Sequence, residues 1–159
     1  MASEGTADGR AMVTHHTRAS PSQVWAELSD GWLYSSWVVG TSRIRAVDAG
    51  WPAVGSRIHH SAGVWPFVVD DATVVLEANL GHRLVLQAKG WPAGEARAEV
   101  TLTQGPGHDL GYTVITIIED AVKGPGMLIP KALRQATMAW RNGEALRRLA
   151  FIAEGRPQP

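Results

Sequence analysis

Cysteine is absent from the 159 residues, which excludes disulfides, thiol nucleophiles and thiolate metal sites together. Phenylalanine and tyrosine are scarce, two of each, so the aromatic content falls on seven tryptophans. Net charge is missing as well. Fifteen basic and fifteen acidic residues cancel, which gives no overall reason to expect nucleic acid or an anionic membrane as partner. No apolar run reaches the roughly 20 residues a membrane span requires, and MASEGTADGRAM lacks the apolar centre of a signal peptide. A cytoplasmic protein without stable membrane insertion is expected. There is no Walker or dinucleotide glycine pattern, no GxSxG elbow, and no HxH or HExxH spacing. No cofactor, metal or catalytic residue is therefore read from a motif.

The stretch from Ile129 to Glu154 is the one segment long and periodic enough for a helix of about seven turns. Ile129, Leu133, Ala136 and Trp140 form one apolar stripe, and Leu146, Leu149, Ala150 and Ala153 a second, rotated from the first. Gly143 lies where they meet and predicts a bend or a close approach. Pro130 suits the first turn. Lys131, Arg134, Arg141 and Arg148 make up the opposite, solvated face.

Upstream, residues 1–10 are small and polar and read as disordered, and 11–17 reads as a first strand. Ser20-Pro21-Ser22-Gln23 is a capping box that opens a short helix carrying Val24, Trp25 and Leu28. Trp32 to Trp37 reads as a second short helix. From Thr41 to Val122, segments rich in Val, Ile, Thr and Leu are broken by Gly, Pro, Asp and Asn. That is the pattern of successive hairpins, with strands expected near 42–48, 55–63, 67–78, 83–89, 95–103 and 110–120. Three Trp-Pro pairs (51–52, 65–66, 91–92) suit strand ends. One domain is expected over 11–154, with 155–159 as a tail. Its class is α+β: a seven-stranded antiparallel sheet, two short helices after the first strand, and the long C-terminal helix across the concave face.

This order, with Ser20-Pro21 through Val24-Trp25, Leu28-Ser29-Asp30, Trp32 to Trp37, Gly55, the 110–120 strand and the final helix, resembles the START-like or SRPBCC superfamily (helix-grip fold). Its polyketide cyclase/dehydrase-like branch is the nearest. The resemblance implies a hydrophobic cavity between sheet and long helix. Members bind lipids, sterols, polyketides or other aromatic molecules, and some catalyse cyclisation or dehydration. The superfamily has no shared catalytic signature, so no residue is carried over as catalytic.

Several groups are candidates for the cavity. His15-His16 and His59-His60 cannot each chelate one metal from a strand, because neighbours point to opposite faces, but one of His59 and His60 can face inward. Glu119 shares a face with Ile115 and Ile117, where a carboxyl would have a raised pKa. Acidic residues are seldom buried unpaired, which favours a solvated strand end beside Lys123. Glu77 and Arg97 raise the same question, including a buried Glu–Arg pair. Trp25 fits the core, while Trp32, Trp37, Trp65, Met127, Met138 and Trp140 are placed around the cavity with His59, His60 and Glu119. Two functions follow: a carrier of a small lipid-like, polyketide-like or aromatic molecule, or a cyclase/dehydrase-type enzyme in which a cavity His, Glu or Arg moves protons. Partners other than the small molecule are not read; monomer and homodimer are both open.

Overall fold

The computed structural model describes residues 2–7, 10–90, 94–105 and 112–157. Trp91, Pro92, the tip of the 105–107 turn and the first residues of the expected 110–120 strand lie outside these. Eight strands form one antiparallel sheet: β1 (Ala2–Ala7), β2 (Arg10–Thr17), β3 (Thr41–Val47), β4 (Arg57–Val64), β5 (Phe67–Asn79), β6 (Arg83–Gly90), β7 (Gly94–Gln104) and β8 (Thr113–Lys123). Their spatial order is β1-β2-β8-β7-β6-β5-β4-β3. Between β2 and β3 lie α1 (Pro21–Leu28), a 3₁₀ turn (Gly31–Leu33) and α2 (Tyr34–Trp37). A second 3₁₀ turn (Pro125–Leu128) leads into α3 (Lys131–Glu154).

The capping box forms as expected: Ser20 Oγ accepts from the Gln23 amide and Gln23 Oε1 from the Ser20 amide, at 3.3 and 2.8 Å. The seven expected strands become eight because residues 2–7, expected to be disordered, pair with β2. Backbone pairing along an open edge is indifferent to side-chain polarity, so ASEGTA forms a strand without apolar alternation. Nor do residues 155–157 trail freely. Gln23 Nε2 donates to the Arg156 carbonyl at 2.7 Å, and the Arg156 guanidinium pairs with the fully buried Glu27. Glu154 accepts from Thr17 Oγ1 and the Arg18 amide at 2.7 and 2.9 Å, closing the end of α3 onto β2.

Register aligns the sheet's inner face into rows. One runs Val13–Ile117–Val100–Leu84, the next Ala11–Glu119–Ala98–Leu86–Val75, and a third Ala121–Ala96–Ala88–Thr73–Ile58–Val47. The first row is buried throughout. α3 packs on β1, β2 and β8 and is held by α1 and α2.

The buried side of α3 is Ala139, Asn142, Ala145, Leu146, Leu149, Ala150 and Ala153. The expected inward stripe of Leu133, Ala136 and Trp140 is exposed instead, Trp140 at 68%. A continuous helix presents one stripe to one surface. The stripe of leucines and alanines at the C-terminal end prevails because its small residues let Leu146 and Leu149 reach complete burial, about 1.5–3 kcal/mol each. Gly143 sits inside the uninterrupted helix, and a Cβ there would meet only Val13 Cγ1, at 3.9 Å. Gly143→Ala should therefore raise stability by about 0.5–1 kcal/mol in urea melts; a loss would mean that close approach requires the glycine.

Candidate functional site

The chemistry of the interior gathers where α2 meets the inner face. The one-turn helix YSSW puts Tyr34 and Trp37 on one side, both buried, with ring centroids 5.4 Å apart edge to face. The Tyr34 ring also stacks on His60 of β4 at 5.7 Å. Thr73 of β5 joins the two polar ends: its hydroxyl lies 3.2 Å from the Tyr34 hydroxyl and 3.0 Å from His60 Nε2. His60 Nδ1 is buried without a hydrogen-bond partner among the described residues.

A second pair closes this cluster from the α3 side. Glu119, 6% exposed, shares the inner face with Ile115 and Ile117 and takes a charge-assisted hydrogen bond from Arg141. The solvated strand end expected beside Lys123 is thereby corrected. Burial opposes the charge on Arg141, but the Glu119 carboxylate outweighs it and raises the guanidinium pKa. Burial raises the Tyr34 pKa; its hydrogen bond to Thr73 and the nearby charges of Glu119 and Arg141 also act on it. Tyr34 is thus a neutral phenol at ordinary pH. Asn142, next along α3, is buried, and its Nδ2 lacks a hydrogen-bond partner among the described residues.

Burial lowers the His60 pKa, with Asp71 pulling it back up and Arg45 and His59 pushing it further down. A histidine whose folded pKa lies below its unfolded value stabilises fully above that unfolded value, near 6.5, and loses this contribution as pH falls below it. His15, lowered mainly by burial, acts in the same window. Denaturant midpoints should therefore drop between pH 7 and the onset of carboxylate protonation. His60→Gln should flatten that drop, and an unchanged slope would contradict a buried neutral His60.

Beside this polar cluster the inner face changes character. Ala98, Ala96, Ala88 and Ala121 occupy inner-face positions yet are only half-buried, although Leu86, Val100 and Thr73 beside them are buried. α3 covers the β2 side of the sheet, and alanine side chains are too short to fill what remains. The result is an accessible apolar strip ending at buried hydrogen-bonding groups. Two open grooves lie elsewhere. One of about 430 Å³ runs between α1 and β3, with Trp32, Trp51, Asp30, Asp48 and Arg156 in its walls. Another of about 380 Å³ is formed by Ser36, Glu144, Arg147, Arg148, Phe151 and Ile152. Neither contains the buried polar cluster.

Of the residues expected around a cavity, Trp37, His60 and Glu119 come together around Tyr34. Met138 is half-buried on α3. Trp32 is exposed and faces the outer groove. His59 points away from His60 and meets Asp48 at 3.4 Å. Trp65, Met127 and Trp140 are exposed. Glu77 and Arg97 do not pair as a buried couple: Glu77 meets Arg83 at 3.3 Å, and Arg97 is exposed. Tyr34, Thr73, Arg141 and Asn142 were not among the expected site residues. A signal for two of them was present. Extending the Leu149–Leu146 stripe back by helical steps reaches Asn142 and its neighbour Arg141. Among the described residues no group of three or more His, Asp and Glu side chains could hold a metal.

No protein-family model and no curated protein sequence matches this chain. Solved structures do. A Rhodobacter sphaeroides protein superposes with a TM-score of 0.72 at 20% identity, covering 98% of this chain and 100% of that one. Ara h 8.0201 gives 0.65 at 10% identity, covering 98% and 100%. The di-domain ARO/CYC StfQ from the steffimycin biosynthetic pathway gives 0.65 at 10%, covering 92% of this chain and 52% of that one. At these identities the likeness establishes the fold alone: a helix-grip arrangement of sheet and long helix.

Proposed function

We propose that this helix-grip chain binds one small hydrophobic molecule with a polar end. The apolar body lies on the strip of Ala88, Ala96, Ala98 and Ala121, beside the part of the sheet that α3 covers. The polar end meets Tyr34, His60 and Thr73 on one side and the Glu119–Arg141 pair on the other. The observation that carries this reading is the half-burial of four alanines beside the buried Leu86, Val100, Thr73 and Val75 of the same sheet face. A protein interior packs to crystal-like density, and an accessible strip that ends at the unpartnered His60 Nδ1 is what a ligand of mixed polarity would complete. Ara h 8.0201 and the ARO/CYC protein share this fold, which supports a lipid-like, polyketide-like or aromatic ligand.

Proton transfer by the same site is the second reading. It is favoured by the Tyr34–Thr73–His60 chain, a continuous hydrogen-bonded path between a phenol and a neutral imidazole. Cyclase or dehydrase chemistry would use that path; a carrier would use only its hydrogen bonds.

Titration with a panel of hydrophobic fluorophores, fatty acids and aromatic polyketide analogues tests the first reading. Binding should quench emission from Trp37, whose ring abuts Tyr34, and saturate near one per chain. Ala98→Trp, or the smaller Ala96→Leu should the first not fold, should weaken it at least about tenfold, roughly 1.4 kcal/mol. Equal affinity in the folded filled variants would place binding elsewhere. His60→Gln separates the readings: turnover would vanish with binding retained in an enzyme.

A further inference from the structure

The zero net charge of the chain conceals a local asymmetry. The β4–β5 turn, the last residue of β6, the first of β7 and the end of β8 all lie at one end of the sheet, as the pairings Val64↔Phe67, Gly90↔Gly94 and Glu95↔Lys123 require. The second 3₁₀ turn and the start of α3 follow β8 directly and extend the same end. Two glycines shape it. At Gly63 (φ +109°) a Cβ would lie 2.2 Å from the Phe67 carbonyl oxygen, and at Gly94 (φ +113°) 1.8 Å from that of Lys123. Only glycine permits these approaches, so backbone lies directly against backbone at both positions.

What they present is apolar: Trp65 and Phe67 are each 84% exposed and Leu128 87%. The chain's three lysines, Lys89, Lys123 and Lys131, are all at this end and all exposed. Of the carboxylates near this end, Asp70 is held by Ser61 and Arg45 at 2.6 and 3.3 Å and Asp120 by Arg134 at 3.9 Å. Glu95, cross-strand from Lys89 and Lys123, accepts from the neutral Gln87 at 2.7 Å and keeps its charge, and the three lysines outweigh it. Exposed Trp, Phe and Leu at a protruding tip, ringed by lysine, match the interface of an anionic bilayer, where aromatic rings sit at headgroup level and ammonium groups meet lipid phosphates.

We infer that this end of the sheet is a peripheral docking surface for anionic phospholipid bilayers. It engages the headgroup layer without a spanning segment; no described helix is long and apolar enough to cross a membrane. The alanine strip lies on rows next to this end, so a docked molecule would hold that strip close to the bilayer.

Co-sedimentation with vesicles tests the inference. Wild-type chain should pellet with vesicles of phosphatidylcholine containing about a third phosphatidylglycerol, and far less with phosphatidylcholine alone. Raising salt to roughly 0.5 M should weaken binding severalfold, as screening demands. Lys123→Glu with Lys131→Glu should reduce partitioning by well over tenfold, since each lysine near such a surface contributes roughly fivefold. Phe67→Ser with Leu128→Ser should do so at any salt. Circular dichroism confirms that each variant is folded. No pelleting with the anionic vesicles, or equal pelleting of wild type and both variants, would overturn the inference. So would a dimer in light scattering that Phe67→Ser with Leu128→Ser dissolves, because the face would then belong to a second copy. Hydrophobic-probe binding measured without vesicles reports on the ligand site separately, so failure of one leaves the other readable.

Discussion

Replacing Arg141 by methionine should cost about 2–4 kcal/mol of stability at neutral pH, although the residue lies on a face of α3 that reads as solvated. The reason is Glu119. Its side chain is 7% exposed while that of Arg141 is 40% exposed, so the substitution removes the water-facing partner and leaves the buried one. An isolated buried carboxylate must either stay charged at a cost of several kcal/mol or take up a proton. Partial exposure of Arg141 moves the expected loss toward the lower end of that range. Adding Glu119→Gln should restore most of it, because replacing both members of a buried pair is close to neutral. Urea melts of the two single variants and the double variant complete the cycle. A single-variant cost below about 1 kcal/mol would mean that Glu119 is solvated from another direction.

Leu149→Ala should cost about 2–5 kcal/mol, the range for a fully buried leucine whose surroundings collapse only in part. Leu149 is completely buried in the same core as Val13, Val24, Ile115 and Leu146. Leu133→Ala, sixteen residues earlier on the same helix, should shift stability by less than about 0.5 kcal/mol, because Leu133 is 61% exposed. Both leucines belong to apolar stripes in the sequence, and only thermal or urea melts tell the stripe that carries the fold from the one that does not. Comparable losses would mean that the N-terminal half of α3 packs as tightly as its C-terminal half.

That pair shows how far the sequence could be read. The succession of strands and helices along the chain, the Ser20 capping box and the position of Glu119 on the face of Ile115 and Ile117 follow from local periodicity, and local periodicity was enough. Which side of α3 faces inward did not follow, because two apolar stripes compete along one helix. The choice rests on how closely Leu146 and Leu149 approach β2. β1 was hidden for a related reason: backbone hydrogen bonds hold it, and ASEGTA carries no side-chain pattern to announce them. Tyr34, Thr73 and His60 stand far apart in the chain and meet only once β4, β5 and α2 are assembled. The Glu119–Arg141 pair was concealed by a charge pattern that made Arg141 look like one more cation on a wet helix face.

Native mass spectrometry of gently purified wild-type chain beside Ala98→Trp tests the ligand proposal most directly. A ligand on the alanine strip predicts a single extra mass on the wild type, released on denaturation and soluble in organic solvent, and a bare Ala98→Trp chain with the same circular dichroism. A bare wild type that also stays bare after incubation with the full hydrophobic panel would contradict it, as would the same adduct on both proteins.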